Sequence, residues 1–196
     1  MKDRLEVMLR DGTPVIVRPL VEEDRAVVAE SYRRLSPEAR YHRFWTRTGE
    51  MLGDALLDRL VHQGPNHMTW AVLDPARELP GLGAASWWRD VNDESHAEVS
   101  ASVLDRDQGR GVGTLLFAVL WLTAMRAGIS RMTGYTLVEN RRAARWLINC
   151  GGDGEWDGYK LAFHWDLNNL DCLPETHTAA DLASWLADLS PVLLEG

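Results

Sequence analysis

The stretch Gln108-Gly109-Arg110-Gly111-Val112-Gly113 decides how this chain of 196 residues is interpreted. It lies between an alternating, strand-like run, residues 97–104, and an apolar, helix-like run that begins at Thr114. Three alternating glycines permit a tight turn and a close approach of the backbone to a ligand. The start of the following helix adds N–H groups without helical partners and the positive end of the helix dipole. Together these features predict a phosphate-binding loop.

Several nucleotide-binding motifs share the order strand, glycine loop, helix. A Walker loop needs a lysine directly after its last glycine, and no lysine follows Gly113. A dinucleotide-binding fingerprint needs a third glycine three places after the second, where this chain has Thr114. The loop does satisfy the pattern Gln/Arg-x-x-Gly-x-Gly/Ala, through Gln108, Gly111 and Gly113. The alternative interpretation is a glycine-rich turn that binds no ligand.

This loop resembles that of the GNAT superfamily of N-acetyltransferases, in which a loop of this form binds the diphosphate of acetyl-CoA. The resemblance covers about residues 13–168 and implies the α/β acyl-CoA N-acyltransferase fold, a mixed central sheet flanked by helices. We expect a GNAT domain over residues 1–170 and a C-terminal extension with one amphipathic helix over residues 171–196. The residues expected to bind acetyl-CoA are Val103, Leu104, Gln108, Gly109, Arg110, Gly111, Val112, Gly113, Thr114 and Asn140.

The remaining elements follow from hydrophobic periodicity and from cap and turn residues. The pattern predicts strands at 14–19, 68–73, 82–90, 97–104 and 131–136, and helices at 20–35, from Ser36 toward Trp45, and at 52–61, 114–127 and 141–150. A terminal hairpin is expected with strands 156–159 and 161–167 around Lys160. A last helix is expected to be capped at Thr178, with an apolar stripe formed by Leu182, Trp185, Leu186 and Leu189.

The distribution of charge says more than the net charge of −8, which argues against a general nucleic-acid-binding protein. Residues 106–145 carry seven basic and two acidic side chains, whereas residues 146–196 carry one basic and nine acidic ones. The basic segment of this acidic chain therefore coincides with the glycine loop. A polyanionic ligand such as CoA fits that coincidence, and a solvated helix face is the alternative.

Other classes of protein are excluded by residues that the sequence lacks. Two cysteines, Cys150 and Cys172, are too few for a disulfide framework, and the six histidines show no metal-ligand spacing, so we expect no metal. The longest apolar run, residues 115–122, is far shorter than the ~18 residues that a membrane span needs. We expect a cytoplasmic protein with no membrane partner.

Glu98 is the predicted general base, on the same strand face as Ser100 and Ser102. Related enzymes often carry a glutamate there, and Glu94 or Asp93 could substitute; the alternative is an exposed strand carboxylate. The resemblance also implies that a backbone N–H near Val103 and Leu104 stabilises the oxyanion.

The helix after Asn140 both fits and departs from the family. Asn140 matches an asparagine that contacts the CoA arm, and it fits a helix N-cap equally well. Many members protonate the thiolate with a tyrosine at the position that Leu147 occupies here, which leaves Tyr135, Tyr159 or water as the acid.

The predicted function is transfer of the acetyl group of acetyl-CoA to a primary amine, either a protein lysine or a small cationic amine, by direct attack in a ternary complex. Four acidic residues near the expected cleft favour a cationic acceptor, namely Asp90, Asp93, Glu94 and Glu98. The segment 36–41 is weakly similar to one in bacterial protein lysine acetyltransferases. A non-catalytic acyl-CoA sensor is the alternative, because the tyrosine is missing. The sequence leaves the oligomeric state open, including a homodimer.

Overall fold

The computed structural model describes residues 4–44 and 51–194. The elements, in chain order, are β1 (Leu5–Met8), β2 (Pro14–Pro19), a 3-10 turn (Glu22–Asp24), α1 (Arg25–Arg33), α2 (Pro37–Phe44), α3 (Asp54–Val61), β3 (His67–Leu73), β4 (Gly81–Arg89), β5 (His96–Val103), a 3-10 turn (Asp105–Asp107), α4 (Val112–Arg126), β6 (Arg131–Leu137), α5 (Arg141–Asn149), β7 (Asp153–Asp157), β8 (Lys160–Asp166) and α6 (His177–Leu193).

The eight strands form one mixed sheet in the order β1-β2-β3-β4-β5-β6-β8-β7. Every neighbouring pair is antiparallel except β5 and β6, which run parallel. The parallel ladder stops at Val99 and Gly134, although β5 continues to Val103 and β6 to Leu137. The mixed sheet flanked by helices confirms the predicted fold, and the early end of this ladder opens a gap in the middle of the sheet.

Helix α4 lies at the centre of the core. Almost all of its residues are buried, because its two sides pack against strands β3–β5 and against α6. An apolar surface on all sides is what a helix enclosed in this way requires. On α6 the buried residues Leu182, Leu186 and Leu189 confirm the predicted stripe, and Trp185 packs at its margin.

Four elements differ from their prediction. Strand β1 is not among the predicted elements. The helix predicted at 20–35 is a 3-10 turn followed by α1, because the Asp24 carboxylate accepts hydrogen bonds from Arg18 (2.6 and 2.7 Å) and from the Val21 N–H (2.9 Å). Strand β7 covers Asp153–Asp157, whereas the sequence predicts a strand at 156–159. The difference arises because the hairpin turn is at Gly158, where φ is 66°. Helix α6 is capped by Thr176, not Thr178. Trp45 lies outside the described residues.

No helix within residues 4–44 and 51–194 is long and apolar enough to span a membrane. In the same residues no three histidine, cysteine or carboxylate side chains group as metal ligands would.

Candidate active site

The glycine loop has the backbone that the sequence predicts for a phosphate cradle. Gly109 and Gly111 have φ angles of 82° and 88°, a region that favours glycine. Gly111 is the N-cap of α4, and the first helical hydrogen bond runs from the Leu115 N–H to the Gly111 carbonyl at 3.0 Å. The three N–H groups before Leu115 therefore have no helical acceptor and are available to an anion.

A network of arginine and aspartate side chains around the buried Asp107 holds the glycine loop in place. Arg110 donates to Asp11 (2.6 Å), Thr13 (2.7 Å) and Asp107 (2.7 Å), and Arg77 donates to both Asp107 oxygens at 2.9 Å. Asp107 is only 1% exposed. Its burial alone would raise the pKa of this carboxyl, but the guanidinium groups of Arg77 and Arg110 outweigh that effect and lower the pKa. The Arg110 side chain therefore stabilises the loop through these hydrogen bonds. The backbone of Arg110 is the part that remains for a coenzyme to contact.

One cleft of about 990 Å³ brings most of the predicted site together. The predicted residues that line it are Glu98, Val103, Gln108, Gly109, Gly111, Gly113, Thr114 and Asn140. The predicted residues that do not line it are Leu104, Arg110 and Val112. Val112 points into the core, so it can offer only its N–H.

Leu104, which we predict to bind acetyl-CoA, does not line the cleft. Its N–H donates to the Leu82 carbonyl at 2.9 Å, and its side chain, 6% exposed, packs in a separate cluster with Tyr32 and Leu35. Because hydrogen-bonding direction alternates along an antiparallel strand, the neighbouring N–H of Val103 is directed to the opposite edge of β5. That edge faces the gap where the β5–β6 ladder has ended. The Val103 N–H is therefore directed into the gap, whereas the Leu104 N–H is used in the sheet.

Glu98 lies on the cleft wall, paired with Trp88 of β4 and with Thr133 of β6. Arg43 of α2 also lines the cleft, and its guanidinium donates to the Ser100 hydroxyl at 2.9 Å. Burial lowers the pKa of the Arg43 guanidinium, and the nearby Glu98 carboxylate opposes that shift. Glu98 thus faces the cleft next to a cation.

The other acidic residues expected near the cleft do not line it. Asp90 accepts from the Asn92 N–H at 2.8 Å, and Asp93 accepts from Ser95 and Arg131 at 2.6 Å. Both belong to the β4–β5 turn, as does Glu94. Of the four acidic residues expected near the cleft, Glu98 lines it, whereas Asp90, Asp93 and Glu94 do not.

At the start of α5, the Asn140 carboxamide oxygen accepts from the Ala143 N–H at 3.2 Å. This confirms the N-cap, and Asn140 also lines the cleft, so the two interpretations are compatible. Leu147 is buried beside the cleft. Of the candidate acids, Tyr135 lines the cleft under Lys160, whose Nζ is 4.1 Å from the ring centroid. Tyr159 is 66% exposed on the hairpin turn and is not part of the lining.

Residues 15–153 match the family model of the acetyltransferase (GNAT) domain. The chain belongs to the GNAT family. An acetyltransferase of Pseudomonas aeruginosa is 32% identical over 135 residues, 68% of this chain and 72% of that protein. The acetyltransferase Pat of Mycolicibacterium smegmatis is 28% identical over 137 residues, 69% of this chain but only 40% of that protein.

Solved GNAT structures share the fold. The GNAT domain of S. lividans PAT superposes with a TM-score of 0.76 at 22% identity, over 83% of this chain and 96% of that one. A spermidine N-acetyltransferase from Vibrio cholerae, in complex with CoA and spermine, gives a TM-score of 0.62 at 14% identity, over 79% and 96% of the two chains.

Sequence reasoning missed several residues of the GNAT cleft, namely Arg10, Glu38, His42, Arg43, Thr178 and Asp181. Arg10 and Asp181 form an ion pair between the β1–β2 turn and α6. Both residues lie outside the matched segment 15–153. No local pattern marks such residues, because only the tertiary fold brings them to the cleft.

Proposed function

We propose that this GNAT protein transfers the acetyl group of acetyl-CoA to a primary amine by direct attack in a ternary complex. The observation that supports this most is that a single cleft connects the glycine loop, the open edge of β5 and Glu98. Acetyl-CoA is the donor that the family uses. The residues present suit it, since glycines at 109 and 111 leave the anion-binding N–H groups accessible.

At the donor end, the N–H groups of Val112, Gly113 and Thr114 bind the diphosphate. The pantetheine arm then enters the gap between β5 and β6. The Val103 N–H, directed into that gap, donates to the thioester oxygen and stabilises the oxyanion that forms as the amine attacks. Rigid positioning of the two substrates supplies much of the rate.

At the acceptor end, Glu98 accepts a proton from the attacking amine, directly or through a water molecule. The amine nitrogen bonds to the acetyl carbon, the carbon–sulfur bond breaks, and the thiolate of CoA takes up a proton. Tyr135 supplies that proton in our scheme, because it is the tyrosine candidate that lines the cleft. Lys160 lies above the ring of Tyr135.

The acceptor in this proposal is cationic before it loses its proton. Glu38, Glu98 and Asp105 line the cleft and attract an amine, whereas Arg43 limits how many positive charges the pocket accepts. A single lysine side chain fits this balance better than a polyamine with several charges.

The alternative is a sensor that binds acyl-CoA without turnover. It is favoured by Leu147, which offers no proton at the position where many GNAT enzymes have tyrosine. In this alternative, the glycine loop and the gap between β5 and β6 still bind acyl-CoA, but no acetyl group is transferred.

Two measurements on the purified protein separate these functions. We expect calorimetry to show binding of acetyl-CoA and CoA, and an assay of released thiol to show turnover with peptides that contain lysine. Binding without thiol release from peptides, polyamines or aminoglycosides would establish the sensor. Absence of CoA binding would reject both.

A further inference from the structure

Three arginines at the start of α5 differ from all the other arginines of the described chain. The side chains of Arg141, Arg142 and Arg145 have no ion pair, hydrogen bond or ring contact with residues 4–44 or 51–194. Every other arginine in those ranges contacts a carboxylate, a carbonyl, a hydroxyl or an aromatic ring. In a protein with a net charge of −8, three such cations on one helix face are left without internal anions.

These arginines line a pocket. A cavity of about 370 Å³ is formed by Arg141, Arg142, Arg145, Trp146, Asn149 and Thr178, with no carboxylate among them. The spacing of three and four residues places the three guanidinium groups on the same side of α5. Thr178 lies in the first turn of α6, where the free N–H groups and the dipole of a 17-residue helix also favour an anion.

The pocket is continuous with the coenzyme cleft. Arg142, Trp146 and Thr178 line both cavities. A side-chain carbon at Gly109 would lie 3.7 Å from Nη2 of Arg142, so this guanidinium is beside the diphosphate loop. Any anion bound here is therefore attached to, or adjacent to, the diphosphate.

We infer that this pocket, built by α5 and α6, binds the 3′-phosphate of CoA and makes the protein select CoA over coenzymes without that phosphate. In CoA the ribose carries the diphosphate at its 5′ position and the phosphate at its 3′ position, so the two anions are neighbours. The inference rests on the proposed function, and it gives the C-terminal helix, which lies outside the matched GNAT segment, a part in coenzyme recognition.

The test compares CoA with 3′-dephospho-CoA by calorimetry. We expect the wild-type protein to bind CoA about tenfold or more tightly, the value of one or two charge-assisted hydrogen bonds. The variant R142A/R145A should lose this preference and bind dephospho-CoA within about twofold of wild type. R142K/R145K keeps the charges and should retain a severalfold preference for CoA.

The matched control is R33A/R34A, which removes two exposed arginines from α1 and changes the net charge equally. It should keep the wild-type preference. Equal binding of both coenzymes by wild type, or an undiminished preference in R142A/R145A, would overturn the inference while leaving the diphosphate site intact. Failure of wild type to bind either coenzyme would reject the proposed function itself. Circular dichroism shows that each variant is folded.

Discussion

In the proposed mechanism, Glu98 and Val103 of the same strand serve opposite ends of the reaction. The Glu98 side chain lines the cleft and is assigned to the acceptor, whereas Val103 is assigned only a backbone role, at the edge where β5 and β6 separate. A side chain can be replaced without moving the strand, so the two roles can be tested separately.

The substitution Glu98→Gln removes the base and keeps the size of the side chain. We expect kcat to fall about 100-fold, because general-base catalysis contributes at least that much, while the KM for acetyl-CoA stays the same. Thiol release is measured from pH 6 to 10, and the variant should be slower than wild type across that range.

Ser102→Ala is the control for Glu98, since Ser102 lies on the same strand and lines the same cleft. Its rate should stay within a few-fold of wild type. If Glu98→Gln kept the wild-type rate and pH profile, Glu98 would have no part in proton transfer. A loss of acetyl-CoA affinity without a change in kcat would point to a structural role.

The glycine loop, as an element, depends on Asp107. This buried carboxylate joins Arg77, from the β3–β4 connection, to Arg110 of the loop, and Arg110 in turn holds the β1–β2 turn. We expect Asp107→Asn to lower the free energy of unfolding by about 3 kcal/mol at pH 7, because Arg77 and Arg110 each lose the buried carboxylate that joins them and keep only Asp74 and Asp11 as partners. CoA affinity should fall as well, since the loop loses its support.

The pH dependence of that effect has a definite sign. The folded state lowers the pKa of Asp107, so its stabilising effect is complete above the ordinary carboxyl pKa of about 4 and is lost as the pH falls through the lower folded value. Urea unfolding should therefore show a constant difference between wild type and Asp107→Asn from pH 5 to 8, and a smaller one at pH 3. An equal difference at pH 3 and pH 7 would contradict the ionic role. Asp11→Asn, at the exposed end of the network, should have a smaller effect.

Elements with strong local signals were predictable, and contacts between distant elements were not. The loop and α4 follow from glycine spacing and a continuous apolar run, and β5 follows from strict alternation. Strand β1 has four residues, too few for a periodicity to stand out. The early end of the β5–β6 ladder, the use of the Leu104 N–H by Leu82, and the arrival of Arg43 in the cleft depend on pairing and packing across the sheet. The glycine loop and the strand before it were therefore predictable, whereas the residues that other elements bring to the cleft were not.

At the scale of the whole molecule, α6 links stability to the coenzyme site. Its inner face packs against α4, whose N-terminus holds the glycine loop, while Thr178 and Asp181 at its start line the cleft. We predict residues 171–196 to be a C-terminal extension with one amphipathic helix, and from this packing we expect α6 to unfold together with the rest of the domain.

Leu182→Ala tests which description is correct. Leu182 is 0% exposed, and its truncation leaves a cavity between α6 and α4. We expect a loss of about 2–5 kcal/mol in the free energy of unfolding, measured in urea, in one cooperative transition. Leu170→Ala is the matched control, because that side chain is exposed and should change stability little. Unchanged stability in Leu182→Ala, or a chain shortened to residue 170 that melts at the wild-type temperature, would show that the domain ends before α6. A cooperative loss would instead mean that α6, to which we assign a part in binding the 3′-phosphate of CoA, is stabilised by the same core that positions the glycine loop.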